Sequence, residues 1–226
     1  MVVAHPSVAA YKDTGDNKLA RYTDAVCRLC RNEGTKLFLK GSRCFTTKCG
    51  IERRRYGPGQ HGQNRKKQSE FAIQLREKQK VRQFFVMLEG QFSKYMETAT
   101  KQKKVPTGLK LLQLCETRLD NIVHRSGMAP SRAQARQMIL HGHILVDGKK
   151  VAIASYNLKP NQVVSIKEKS QKFVKDMLAN SPVAGTTTSW LKVDQENLTV
   201  SIINQPSRED LDPTIKEALI VEYYSR

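Results

Sequence analysis

A chain of 226 residues with 39% hydrophobic content can form one large or two modest domains with limited cores. Lys and Arg number 39 against 21 Asp and Glu, a formal net charge of +18 at pH 7, which repels itself unless a polyanion is bound. No apolar run approaches the ~20 residues that span a bilayer, and no charged-then-apolar signal segment opens the chain, so the expectation is a soluble, cytoplasmic protein without a membrane partner.

Residues 1–20 form an extension that is neutral overall and lacks the Arg-rich, acid-poor character of an organelle transit peptide. Residues 21–104 then hold 21 basic residues against 7 acidic, and residues 105–176 hold 12 against 5. The tail, residues 177–226, reverses the balance with 4 against 7. A phosphate-rich partner is therefore expected on the first two blocks, and the tail is expected to pack on its own chain.

"CRLCRNEGTKLFLKGSRCFTTKC" places Cys27 and Cys30 on one tight turn and Cys44 and Cys49 on another. In a non-secreted chain that spacing reads as four thiolate ligands of a structural metal, zinc by default, with an iron–sulfur cluster on the same four cysteines left open. Residues 20–60 contain few large apolar side chains, so ligation would supply the folding free energy that burial cannot. Cys115 stands apart on an apolar helical stripe and reads as a small core residue.

"RRRYGPGQHGQNRKK" follows. Gly57, Gly59 and Gly62 match the spacing of a dinucleotide-binding turn, but neither an apolar lead-in strand nor a helix with packing residues flanks them. The loop reads instead as a phosphate grip. Arg53, Arg54 and Arg55 precede the glycines, Arg65 and Lys66 follow, and Tyr56, Gln60 and His61 offer stacking and hydrogen bonds suited to irregular RNA.

Next, the spacing predicts a helix from an N-cap at Ser69 to Gly90, with Arg76/Lys80 and Lys78/Arg82 as like-charge i,i+4 pairs that an anion would relieve; a solvated face is the alternative. A short helix with Phe92, Tyr95, Met96 and Ala99 on one stripe follows, and Pro106 and Gly108 mark a boundary. One helix is expected up to Gly127, and a second with Ser131 as N-cap and Gly142 past its end. A hairpin turning at Asp147-Gly148 and a strand in "NQVVSIKEK" complete a small α+β unit. Its Arg118, Arg125, Arg132, Arg136, Lys149 and Lys150 could converge on one phosphate-facing surface, and His141 and His143 suit a helix end or backbone contact better than a metal. In the tail, Trp190 reads as a core anchor and Ile215–Ile220 as a short helix.

The chain carries no P-loop, nucleophile elbow or H-E-x-x-H motif, so no enzyme and no small-molecule substrate are expected. An RNA-modifying enzyme with the same small module would need a separate catalytic domain, and a zinc-dependent DNA-binding regulator would be basic as well. From Arg21 to Arg226 the segments "CRLCRNEG", "RCFTTKC", "PGQHGQ", "LREKQKVR", "ETRLDNIVHRSGMAPSRAQARQMILHGHILVDGKKV" and "LIVEYYSR" together resemble the family of bacterial small-subunit ribosomal protein number four.

The resemblance implies an α+β fold. A metal-bound arm and basic loop (21–60) would precede a mainly helical domain (61–106 with 177–226), with a small RNA-binding module inserted between its parts (107–176, the family's module covering about 115–175). It also implies Asn121 among the module's RNA contacts, and a structural role in the small ribosomal subunit. That role is primary binding of 16S rRNA at a multi-helix junction, nucleation of body assembly, and a place near small-subunit proteins three and five and near mRNA where it enters the subunit, with an influence on translational accuracy.

Overall fold

The computed structural model describes residues 22–64, 67–180 and 188–225. The expectations for residues 1–20, Arg65 and Lys66 lie outside the described residues.

The cysteine arm consists of α1 (Cys27–Glu33), a 3₁₀ turn (Gly41–Phe45) and α2 (Gly50–Arg53). Its core is small: Cys30, Leu37 and Leu39 are buried, and Phe84 at the end of the next helix and Val86 just past it pack against them. That helix, α3 (Glu70–Phe84), starts where the Ser69 hydroxyl accepts from the Ala72 amide. It stops well before Gly90. Val86 takes φ +53°, and the amides of Val86 and Met87 return to the Gln83 and Arg82 carbonyls, closing the helix with a β-branched residue in the left-handed region.

Helices α4 (Glu89–Lys101) and α5 (Thr107–Glu116) pack with α3 into the helical body. The last helix, α9 (Glu217–Tyr224), joins them, so that Ile220, Leu211 and Ile215 share a core with Val81, Phe85, Phe92 and Leu111. At Gly108 a Cβ would strike the Glu217 stem, so the glycine lets α5 and α9 approach closely.

The helix expected to run to Gly127 is two. Between α5 and α6 (Leu119–Arg125), Arg118 is extended and bridges Asn157. There the Leu119 and Asp120 amides donate to the Tyr156 and Ala154 carbonyls. A continuous apolar stripe hid this break, because long-range backbone bonds replace the local ones. Helix α7 (Arg132–Leu140) begins at Ser131, whose hydroxyl accepts from the Gln134 amide, as the capping pattern predicts.

Strands β1 (Ile144–Val146) and β2 (Lys149–Lys150) form the hairpin, with Asp147 at φ +49° and Gly148 at +77°. β3 (Val163–Ile166) leads directly into α8 (Glu168–Asn180), so the strand expected through Lys169 ends earlier and a helix follows it. β4 (Leu191–Asp194) and β5 (Thr199–Ile202) follow, giving an antiparallel sheet in the order β2-β1-β3-β5-β4. The tail is thus divided. Residues 191–202 extend the module's sheet and bury Trp190 in its core, and only the segment around Leu211–Tyr224 returns to the helical body.

Candidate nucleic-acid interface and cysteine centre

Cys27, Cys30, Cys44 and Cys49 line one cavity of about 10 Å³, with Val26, Leu39 and Ile51 around them. The Lys40 amide donates to Cys44 Sγ at 3.4 Å, and the Leu37 amide to Cys30. Gly50 lies so close to Cys27 that a Cβ would stand 2.9 Å from its Cβ, so only glycine lets the second cysteine turn close on the first. Burial pushes the Cys30 and Cys44 thiols up, and neighbouring cysteines push in the same direction. Among the described residues no group of three or more His, Cys, Asp or Glu side chains stands in ligand geometry, and all four thiols are free. The donor chemistry is nonetheless that of a soft, tetrahedral ion: four sulfurs, amides aimed at two of them, and an apolar wall.

The basic loop leaves this centre through α2. Arg53, Arg54, Arg55, Tyr56, Gln60 and His61 are all exposed. Two features fix the loop's path. Arg31 on α1 donates from Nε to the Tyr56 carbonyl (3.0 Å) and from Nη2 to the Gly57 carbonyl (3.1 Å), with its guanidinium 5.2 Å from the Tyr56 ring centre. A Cβ at Gly62 would collide with the Gly57 carbonyl, so the loop is pinched shut where two glycines meet. Arg31 had no sequence signal, because nothing in "CRLCRNEG" marks which arginine turns back toward a loop 25 residues away.

The cation run on α3 is relieved from within. Lys78 is buried, pairs with Glu89 and lies 4.7 Å from the Tyr223 ring centre. Lys80 pairs with Glu77 at 2.7 Å and donates to the Thr214 carbonyl. Arg82 bonds Gln79 and sits 3.7 Å from Glu89. Arg76 meets Glu33 of α1 at 3.3 Å and stays partly exposed. Own-chain carboxylates thus relieve the like-charge run, and Lys78 and Lys80 hold the helical body together, while the Arg76 side chain stays exposed.

A correction concerns the module's arginines. Arg118 is fully buried, forking onto Asp120 at 2.9 and 2.5 Å. Arg125 pairs with Glu116, and Asn121 is buried, donating to the Glu116 carboxylate and main-chain carbonyl. Arg132 donates to Asn121 Oδ1 at 2.8 Å. Burial lowers its pKa to about 10. Arg136 stands 3.7 Å from Asp120 with its side chain mostly covered. Rather than converging on a phosphate-facing surface, these groups form an internal network where helix α5 meets the module. Their charge count disguised their partners, because the acids that bind them, Glu116 and Asp120, sit among them in the same helices.

What does remain exposed on the module is its hairpin edge: Lys149, Lys150 and His141, with His143 half-buried. The Lys150 side chain runs over Gly142, where a Cβ would clash with it, so the glycine lets the lysine lie against the turn after α7. Of the cations expected at the surface, those of the loop after the cysteine centre, Arg76 on α3 and this edge are exposed among the described residues.

Family models match across this geometry. Residues 21–116 match the Ribosomal protein S4/S9 N-terminal domain, and residues 117–164 match the S4 domain. The chain is 54% identical over 209 residues to Small ribosomal subunit protein uS4 of Ruminiclostridium cellulolyticum, covering 92% of this chain and 100% of that protein. It is 53% identical over 208 residues to uS4A of Alkaliphilus oremlandii and 53% over 209 residues to uS4 of Acetivibrio thermocellus, with the same coverage of both chains.

Proposed function

The chain belongs to the ribosomal protein uS4 family, and from that membership we infer that it is a structural, non-enzymatic constituent of the small ribosomal subunit that binds the subunit's rRNA. It acts where the ribosome acts, in the cytoplasm. The observation that carries the binding mode is the exposed run Arg53, Arg54 and Arg55, followed at once by Tyr56 and Gly57, whose carbonyls Arg31 anchors. Such a loop meets phosphates without reading a regular duplex, as irregular RNA requires. Affinity then comes chiefly from counterion release, and shape selection from holding the loop and the hairpin edge on one folded chain.

In finer detail, the protein is a primary binder of 16S rRNA at a multi-helix junction, nucleates the body of the subunit, and sits by small-subunit proteins three and five and by mRNA where it enters, influencing decoding accuracy. The resemblance of its motifs supports this placement. Cys27, Cys30, Cys44 and Cys49 would hold a structural zinc ion, which when bound supplies the folding free energy that the small core of the arm lacks. An iron–sulfur cluster on the same thiolates is separated from zinc by visible absorption and metal analysis.

Footprinting of the full chain on small-subunit rRNA over a salt series tests the binding mode. Affinity is expected to fall at least about 10³-fold between 50 and 200 mM salt, and a flat response overturns it. Chelation is expected to raise amide exchange over residues 22–53 and in the loop, and leave the module's sheet protected; unchanged protection overturns the metal.

A further inference from the structure

Helix α8 carries a surface that the loop and hairpin do not account for. Its inner face buries Val174 and turns Met177 and Leu178 toward the module's core. Its outer face presents Lys169, Lys172 and Phe173, all exposed, with the Phe173 ring 52% exposed. Single exposed apolar side chains are ordinary, but this ring is not isolated. Phe173 lies 6.1 Å from His143, the two rings tilted by 31°, and His143 lies 6.1 Å from His141. His143 Nδ1 stands 2.8 Å from Ser170 Oγ, and the Lys167 amide donates to the His143 carbonyl, so the start of α8 is fastened against the histidine turn. The three rings therefore neighbour one another in sequence His141, His143, Phe173, with the Lys150 side chain over Gly142 and the exposed Lys169 and Lys172 on the same helix as Phe173.

Neighbouring aromatic rings with lysines beside them have the chemistry of a platform for unpaired bases: every base has a π face, and the cations take the phosphates between them. The exposed Lys169, Lys172 and Lys150 disfavour a protein partner, because the core of a protein interface is depleted of lysine. Resting on the rRNA-binding reading above, we propose that Phe173, His143 and His141 form a stacking shelf for one or two unpaired RNA bases, with the adjoining phosphates on Lys150, Lys169 and Lys172.

The test uses the full chain and small-subunit rRNA at several salt concentrations. Phe173→Leu keeps an apolar side chain on an exposed position and is expected to weaken binding about 5- to 10-fold with the salt slope unchanged, whereas Phe173→Tyr keeps the ring and binds like the parent. Lys169→Ala with Lys172→Ala is expected to reduce the slope by about 1.4, two contacts' worth. Base-specific chemical probing is expected to show a base shielded by the parent and by Phe173→Tyr and reactive with Phe173→Leu. Equal binding by parent and Phe173→Leu, or equal weakening by Tyr and Leu, overturns the shelf. Loss of subunit association by Phe173→Leu with base reactivities unchanged assigns the surface to a protein and also overturns it. Failure of the parent to bind rRNA at all overturns the functional reading itself, which the parent arm alone distinguishes.

Discussion

The guanidinium of Arg132 lies 3.9 Å from the ring centre of Phe84 and 5.5 Å from that of Phe85, while its Nε donates to Asn121. One side chain thus joins the first turn of the module's second helix to the last turn of α3. Arg132→Ala should lower stability by about 2–4 kcal/mol, combining a desolvated cation–π contact with a stranded buried amide. Arg132→Lys should lose about half of that, since an ammonium lacks the planar fork. Denaturant midpoints of the three proteins check this; an Ala variant within 0.5 kcal/mol of the parent, roughly the range of an ordinary surface change, contradicts it.

Surface and interior arginines should separate cleanly in binding experiments. Replacing exposed Arg54 and Arg55 by Ala should flatten the salt dependence of rRNA affinity by about 1–2 units of slope and leave the thermal midpoint nearly unchanged. Arg118→Ala, which strands the buried Asp120, should instead cost about 3–5 kcal/mol of stability. Thermal melts beside salt titrations distinguish the two patterns.

The pinch between Gly57 and Gly62 leaves no room for a methyl group. Gly62→Ala is expected to open the loop, weakening rRNA binding several-fold while the far-ultraviolet spectrum and melting midpoint stay near those of the parent. Arg31→Ala should act in the same direction by releasing the other anchor. Amide exchange confined to residues 54–64 is the accompanying signature.

His124 provides a pH response. Burial, with the Arg132 charge second, lowers its pKa to about 4, and Nδ1 lies 3.1 Å from the Ala129 carbonyl. A depressed histidine favours the fold above its unfolded value of about 6.5, and that stability is lost as pH falls toward the folded value, because the unfolded chain takes up the proton first. Between pH 7.5 and pH 5 the parent should therefore lose about 2 kcal/mol from this group. His124→Gln, which retains a donor for Ala129 and cannot titrate, should lose that much less over the same interval in urea midpoints.

How much of this was legible depended on whether the determining contacts were local. Ser69, Ser131 and Asp147-Gly148 announced two helix starts and a turn because each acts within a few residues. The break at Arg118, the early end of α3 at Val86 and the strands at 191–202 were invisible, since each is imposed by a partner distant in sequence or by a strained residue no propensity favours. The same division holds at the site. The loop's cations read as exposed because no acid accompanies them beyond Glu52, whereas the charge pattern alone puts Arg118, Arg125 and Arg132 at the surface although Glu116 and Asp120 lie two to sixteen residues away. Helix α8 went unseen because its only fully buried apolar residue is Val174, leaving Phe173 without a frame.

The placement of the tail bears on how the protein is made. β5 zips onto β3, and α9 then crosses to complete the helical core with Ile220. Until those segments are made, the sheet lacks β5 and β4 and the helices lack their last partner. Both bodies therefore reach their final packing only once residues 199–224 have been added, so the cationic loop and hairpin precede in synthesis the segments that complete the cores beneath them.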